Sequence, residues 1–140
     1  MYEWMNMNEV EINYNMFENI KHTDKYGCEY WYARELQTIW DYTEWRKFSA
    51  VIEKAIMACS NSDANDYDHF VGVDKMVEIG SKSSRKILDY KLSRYAFYLI
   101  AQNGDSRKRV IALAQIYFAI QTRKQEIIEK EYNSLTKELM

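Results

Sequence analysis

The feature that most constrains this chain is the stretch at residues 88–126, LDYKLSRYAFYLIAQNGDSRKRVIALAQIYFAIQTRKQE. It carries the densest apolar and aromatic run, interrupted at regular intervals by arginine, lysine and glutamine, a mixture that reads as two helices. Ser93 is placed to cap the first, and Gly104 to end it in the left-handed conformation that glycine adopts without a Cβ penalty. Tyr95, Leu99 and Gln102 fall on one side, with Ala96, Phe97 and Ile100 filling most of the rest. Asp105 is placed to start the second helix, where a carboxylate suits free backbone amides and the positive end of the dipole. Val110, Ala114, Tyr117, Phe118 and Ile120 follow at helical spacing. Neither glycine nor proline occurs after Gly104, so one long C-terminal helix is expected.

Size and composition point to one domain. In 140 residues, 47% apolar with twelve tyrosines and four tryptophans, there is enough material for a single core. The start, MYEWMNMNEVEI, is acidic where a secretory leader would be basic, and the longest apolar run, residues 110–120, is too short to span a bilayer. A cytoplasmic location is expected, with Cys28 and Cys59 as reduced thiols. The net charge of −2 excludes a globally steering positive field. The charge is nevertheless divided, because residues 1–20 carry only acidic groups whereas residues 81–109 are strongly basic.

The chain then reads in order. Residues 1–15 look like a flexible acidic leader, with charge mimicry of phosphate toward a basic partner as a second reading. MFENIKH and CEYWYA flank TDKYG, an N-terminal β-hairpin turning at Gly27, with Trp31 as a core aromatic and not a stacking platform. Residues 33–40 form a short helix and residues 41–43 a turn. Thr43 is expected to cap a second helix whose Trp45, Phe48, Ile52, Ala55, Ile56 and Cys59 share one face. This pair has helix-turn-helix dimensions. Its outward residues include Arg46, Lys47 and Lys54 but also Glu44 and Glu53, so a solvated amphipathic face is an equal reading.

The polar loop NSDANDYD fails as a calcium loop: counting from Asp63, position six is Asp68 and position twelve is Asp74, where glycine and glutamate belong. A short second β-hairpin follows, with its tip at GSKSSRK. Lys82, Arg85 and Lys86 there, with Lys91 and Arg94 beyond, are candidate phosphate contacts, and a merely soluble loop is the alternative. In the tail after residue 126, Ile128, Tyr132, Leu135 and Leu139 repeat at four, three and four residues, a seam that packs back on the domain or pairs two chains into a homodimer. Self-association is the favoured outcome.

Three separated groups of motifs resemble one family. YGCEYWYARELQTIWDY, then VIEKAIMAC with DHF, then SRYAFYLIAQNGD with AQIYFAIQTRKQE, in this order over residues 17–126, resemble the N-terminal domain of the DNA-damage-inducible protein D family. That domain is of the BRO type found in phage antirepressors and large DNA viruses. The resemblance implies a non-enzymatic regulatory module of a phage or mobile element, binding DNA or blocking a host or phage protein complex as antirepressor, recombinase modulator or anti-defence inhibitor. Members of that family continue well beyond QTRKQE, whereas this chain ends fourteen residues later, so no activity of a C-terminal part is implied.

No catalytic constellation is visible. His22 and His69 are far apart and suit hydrogen-bonding roles, and no nucleophile elbow, metal-ligand spacing or phosphate-binding glycine loop occurs. No cofactor, metal or membrane partner is expected. The fold class is α+β: a helix-rich single domain with an N-terminal β-hairpin, a helix-turn-helix-like pair, a short second β-hairpin and a long C-terminal helix. Residues 16–126 are expected to make up the domain, with residues 127–140 as a helical extension.

Overall fold

The computed structural model describes residues 7–62 and 66–139. Its elements run α1 (Met7–Asn19), β1 (His22–Thr23), β2 (Glu29–Tyr32), α2 (Ala33–Ile39), α3 (Trp45–Asn61), the single turn α4 (Asp66–His69), β3 (Phe70–Gly80), β4 (Ser83–Leu92), α5 (Arg94–Asn103) and α6 (Arg109–Leu139). The four strands form one antiparallel sheet in the order β1-β2-β4-β3. This is the α+β architecture expected, with both hairpins, the helix pair and the long last helix in place.

The N-terminus departs from expectation. Residues 7–15, read as part of a flexible leader, and residues 16–19, read as strand, belong to α1. Val10, Tyr14 and Phe17 lie four and three residues apart, which puts them on one helical face. Val10 packs with Leu113 of α6, Tyr14 stacks on Tyr117 at 3.8 Å between ring centroids, and Phe17 is buried in the main core. A segment with weak helical character of its own is thus held by the surface it covers. Residues 1–6, the rest of the expected leader, lie outside the described residues.

Phe17 sits between Trp31 and Phe97, with ring centroids 4.3 Å and 3.4 Å away, and Trp40 lies 4.9 Å from Phe97. Around this aromatic stack are Leu36, Phe48, Ile52, Leu92, Ile100 and Ile111. The Trp31 indole donates to the Phe17 carbonyl at 2.9 Å, so its polar atom is satisfied inside the core, as a buried tryptophan requires.

Turn chemistry accounts for the junctions. Asp24 accepts from the backbone amides of Tyr26 and Cys28, and Gly27 takes φ 83° in the first hairpin. Ser93 caps α5 by accepting from the Ala96 amide at 3.0 Å. Two other caps differ from expectation. Thr43 is not the cap of α3; that place falls to Glu44, which makes no side-chain cap bond. Gly104 is extended (φ −78°, ψ 171°) and not left-handed. Side chains take over the end of α5 instead, as Asn103 donates to the Leu99 carbonyl and Gln115 to that of Ala101. Glycine suits the position for another reason: a Cβ would crowd its neighbours, standing 3.0 Å from Ile111 Cγ2 and 3.3 Å from the Ile100 carbonyl oxygen. Asp105 accepts from the Arg107 amide, and α6 starts only at Arg109.

The second hairpin reaches further than its expected short strands, with arms of 11 and 10 residues. At about 1.5 Å per residue α6 is roughly 46 Å long. Its first turns bury Ile111, Leu113 and Ala114, and residues 121–139 are exposed throughout.

Candidate functional site

The outer face of the sheet is built by register. Opposed residues of antiparallel strands point the same way, and neighbours along a strand alternate. Trp31 pairs with Leu92 and Phe70 with Leu92, so these face the core. The intervening positions therefore face outward. They are His22 and Tyr30, which pair, Tyr32 and Lys91, which pair, then Asp89 opposite Val73, Ile87 opposite Lys75, and Arg85 opposite Val77. Lys91 Nζ lies 4.8 Å from the Tyr30 ring and Lys75 Nζ 5.6 Å from the Tyr32 ring. The two tyrosines meet edge to face at 5.5 Å.

At the centre of this face β2 leaves the sheet and becomes α2, which uncovers the edge of β4. Arg34 and Asp89 close the gap reciprocally. The Arg34 guanidinium donates twice to the Leu88 carbonyl, at 2.9 and 2.8 Å, and Asp89 Oδ1 accepts from the Arg34 amide at 3.0 Å and the Tyr90 amide at 2.8 Å. Arg34 also lies over the Trp45 ring at 3.9 Å. Burial lowers its pKa, partly offset by the Asp89 charge, and Arg85 beside it acts in the same lowering direction.

The basic residues named from the sequence are thereby sorted. Arg85 and Lys91 stand on the outer face, Lys86 opposite Met76 on the other side of the hairpin, and Lys82 at its tip. Arg46, Lys47 and Lys54 lie along α3, with Arg46 3.5 Å from Glu44. Arg94 is committed inside the protein: it binds Glu29 through Nε at 2.8 Å, Glu18 at 2.6 Å and the Tyr14 hydroxyl. The hydrogen bond to Glu29, against the opposing effect of burial, raises its pKa. Glu9 is likewise held by Arg109 at 2.6 Å. Of the carboxylates that a phosphate-mimicking leader would display, Glu9 is thus paired with the domain's own Arg109.

The Arg94 cluster carries a pH prediction. Burial pushes Glu18 up, but hydrogen bonds from Arg94 and Tyr14 outweigh it, and Arg94 directly pulls Glu29 down, so both carboxyls lie below the ordinary value of 4.5. Groups depressed in the folded state stabilise it fully above their unfolded pKa and lose that contribution as the pH falls through the folded one. Urea midpoints are therefore expected to drop below pH 4.5, and Arg94→Met to flatten that drop. Equal acid sensitivity of the variant would disprove the assignment.

Tyr30, Tyr32, Lys75, Asp89 and Arg34 escaped the sequence reading. One signal was present: with Trp31 in the core, Tyr30 and Tyr32 must point the other way. The histidines hold structural bonds, His22 to Glu35 and His69 to Ser93, each 2.7 Å. Cys28 is exposed and Cys59 buried, with no disulfide between them. Among the described residues no three metal-ligating side chains converge, and no helix is long and apolar enough to cross a membrane.

Residues 19–126 match the model of the BRO family N-terminal domain. The chain is similar to DNA damage-inducible protein D of Escherichia coli (strain K12), with 47% identity over 125 residues, 89% of this chain and 44% of that protein. The chain thus spans less than half the length of that relative, and no solved structure matches it. It belongs to the BRO family, whose N-terminal domain it carries.

Proposed function

We propose that this BRO-type domain is a non-enzymatic regulatory module that binds DNA through the β3–β4 hairpin and the adjoining outer face of the sheet. The observation that carries the reading is the setting of the hairpin's cations. Lys82 occupies the tip at φ 67°, a conformation that costs a residue with a Cβ about 1 kcal/mol and that glycine or asparagine would fill more cheaply. Behind it Arg85, Lys75 and Lys91 share a face with Tyr30 and Tyr32, and Lys86 flanks them. Cations beside half-buried aromatic rings combine phosphate attraction with base contact. Arg46, Lys47 and Lys54 of the helix-turn-helix-like pair are secondary contacts in this reading, and Arg94 contributes by fixing α5 against β2. The name of the relative, which ties it to DNA damage, agrees with a role in DNA transactions.

A salt series tests this. Three to five phosphate contacts on duplex DNA give a log affinity that falls with log salt at a slope of about −2.7 to −4.5. Absence of binding at low salt would overturn the reading.

A second reading is favoured by a separate observation. Ile128, Tyr132, Leu135 and Leu139 are 58–88% exposed along the projecting part of α6, an apolar seam suited to a second copy of the chain, and through it to a module that blocks a protein complex. Sedimentation is expected to show a smaller species for a chain ending at Glu126. An unchanged oligomeric state removes the seam from the account.

A further inference from the structure

We infer that a cavity on the outer sheet face takes one unstacked nucleobase bearing an amino group, held by the unused oxygen of Asp89. This rests on the DNA-binding reading and adds what the site distinguishes. The cavity has a volume of about 370 Å³ and is lined by Tyr32, Val73, Asp74, Lys75, Asp89 and Lys91, large enough for a small planar ligand. Asp89 is fully buried. Oδ1 accepts two backbone amides, yet Oδ2 accepts from no group among the described residues. A buried carboxylate oxygen left without a donor is costly, so the site is completed by a donor from outside.

The lining narrows what that donor is. Lys75 and Lys91 border the same cavity and repel a free cation or an alkylammonium group. A neutral N–H donor with an acceptor beside it suits both charges. Cytosine, adenine and guanine each present an amino group next to a ring nitrogen or carbonyl, so the amino group donates to Oδ2 while the acceptor receives from a lysine. Thymine is disfavoured, because its single N–H lies between two carbonyl oxygens that would face the carboxylate. The Tyr32 ring supplies a stacking surface, with Tyr30 set edge-on to it.

The test compares binding of the full chain to labelled oligodeoxycytidylate and oligothymidylate of equal length at one low salt concentration. Preference for the cytosine polymer by roughly tenfold or more is expected, the worth of about one hydrogen bond to a charged group. Asp89→Asn should abolish or invert it. The Asn oxygen stays on the two backbone amides, which only an acceptor satisfies, and its NH2 replaces Oδ2 with a donor. Equal affinity for the two polymers, or an unchanged preference in the variant, overturns the inference. Should Asp89→Asn fail to fold, NMR titration of the unaltered chain with dCMP and dTMP decides: only dCMP should shift the Tyr32 and Asp89 resonances. Salt-sensitive but base-blind binding means that the cavity holds water, and leaves the DNA reading standing. Failure to bind either single-stranded polymer overturns this inference, and the salt series on duplex DNA then decides the DNA reading separately.

Discussion

Trp31→Ala is expected to lower the unfolding free energy by about 3–5 kcal/mol, the range for removing a large buried aromatic. Marginal folds have only about 5–15 kcal/mol in total, so the variant should be partly unfolded at moderate urea and room temperature. Three losses coincide at this position. The ring is fully buried and stacks on Phe17 at 4.3 Å. Its indole N–H satisfies the Phe17 carbonyl, the last of these contacts tying α1 to the sheet. The Arg94 guanidinium lies 5.1 Å from its ring, so the ion-pair cluster is disturbed as well. Trp31→Phe separates the terms, because it keeps most of the stacking and loses the hydrogen bond; it should fall between wild type and alanine. Equilibrium urea unfolding checks both, and a midpoint for Trp31→Ala within error of wild type would refute the central place given to this stack.

The largest functional effect is expected from replacing Lys82, Arg85 and Lys86 together by alanine. Each phosphate contact on duplex DNA contributes about 0.9 to the salt slope, so the triple variant should flatten it by about 2.7. Affinity near 0.1 M salt should fall on the order of 100-fold, across all sequences alike, since phosphate contacts carry no base information. Stability should change little, because all three side chains are exposed and none makes an ion pair or side-chain hydrogen bond with a described residue. Fluorescence anisotropy over a range of salt measures slope and affinity together. Retention of the wild-type slope would move the contact surface away from the hairpin, with Arg46, Lys47 and Lys54 on α3 the next residues to replace. Because the whole chain carries a net charge of −2, the attraction is local to the hairpin, and weak non-specific binding elsewhere should not mask the loss.

How much of this was legible beforehand depends on the range of the interaction concerned. The Ser93 cap, the turn at Gly27, the apolar face of α3 and the continuity of α6 follow from contacts within a few residues, and local pattern exposes those. The first residues of α1 were misread because a stretch rich in asparagine and methionine has little helical signal; its helix is held by Leu113 and Tyr117, about a hundred positions away. Gly104 was placed correctly and explained wrongly, since its constraint comes from the approach of Ile111 and not from its own φ. For the candidate site the division is similar. Lys82, Arg85, Lys86 and Lys91 are visible as charge in a turn-rich segment, whereas the grouping of Tyr30, Tyr32, Lys75 and Asp89 exists only once β2 and β3 are laid on either side of β4.

Local pattern set the short helix α2, the apolar face of α3, the helices α5 and α6, the turn at Gly27 and the aromatic material of the core, because helical and strand periodicities and turn residues act over one or two turns of chain. Only the tertiary structure decided which charges are available. Arg94 and Glu29 lie 65 positions apart and Arg34 and Asp89 55 apart, and pairing at such separation depends on how strands and helices stack. That stacking neutralised one arginine that looked free, and left one buried carboxylate oxygen without a partner among the described residues.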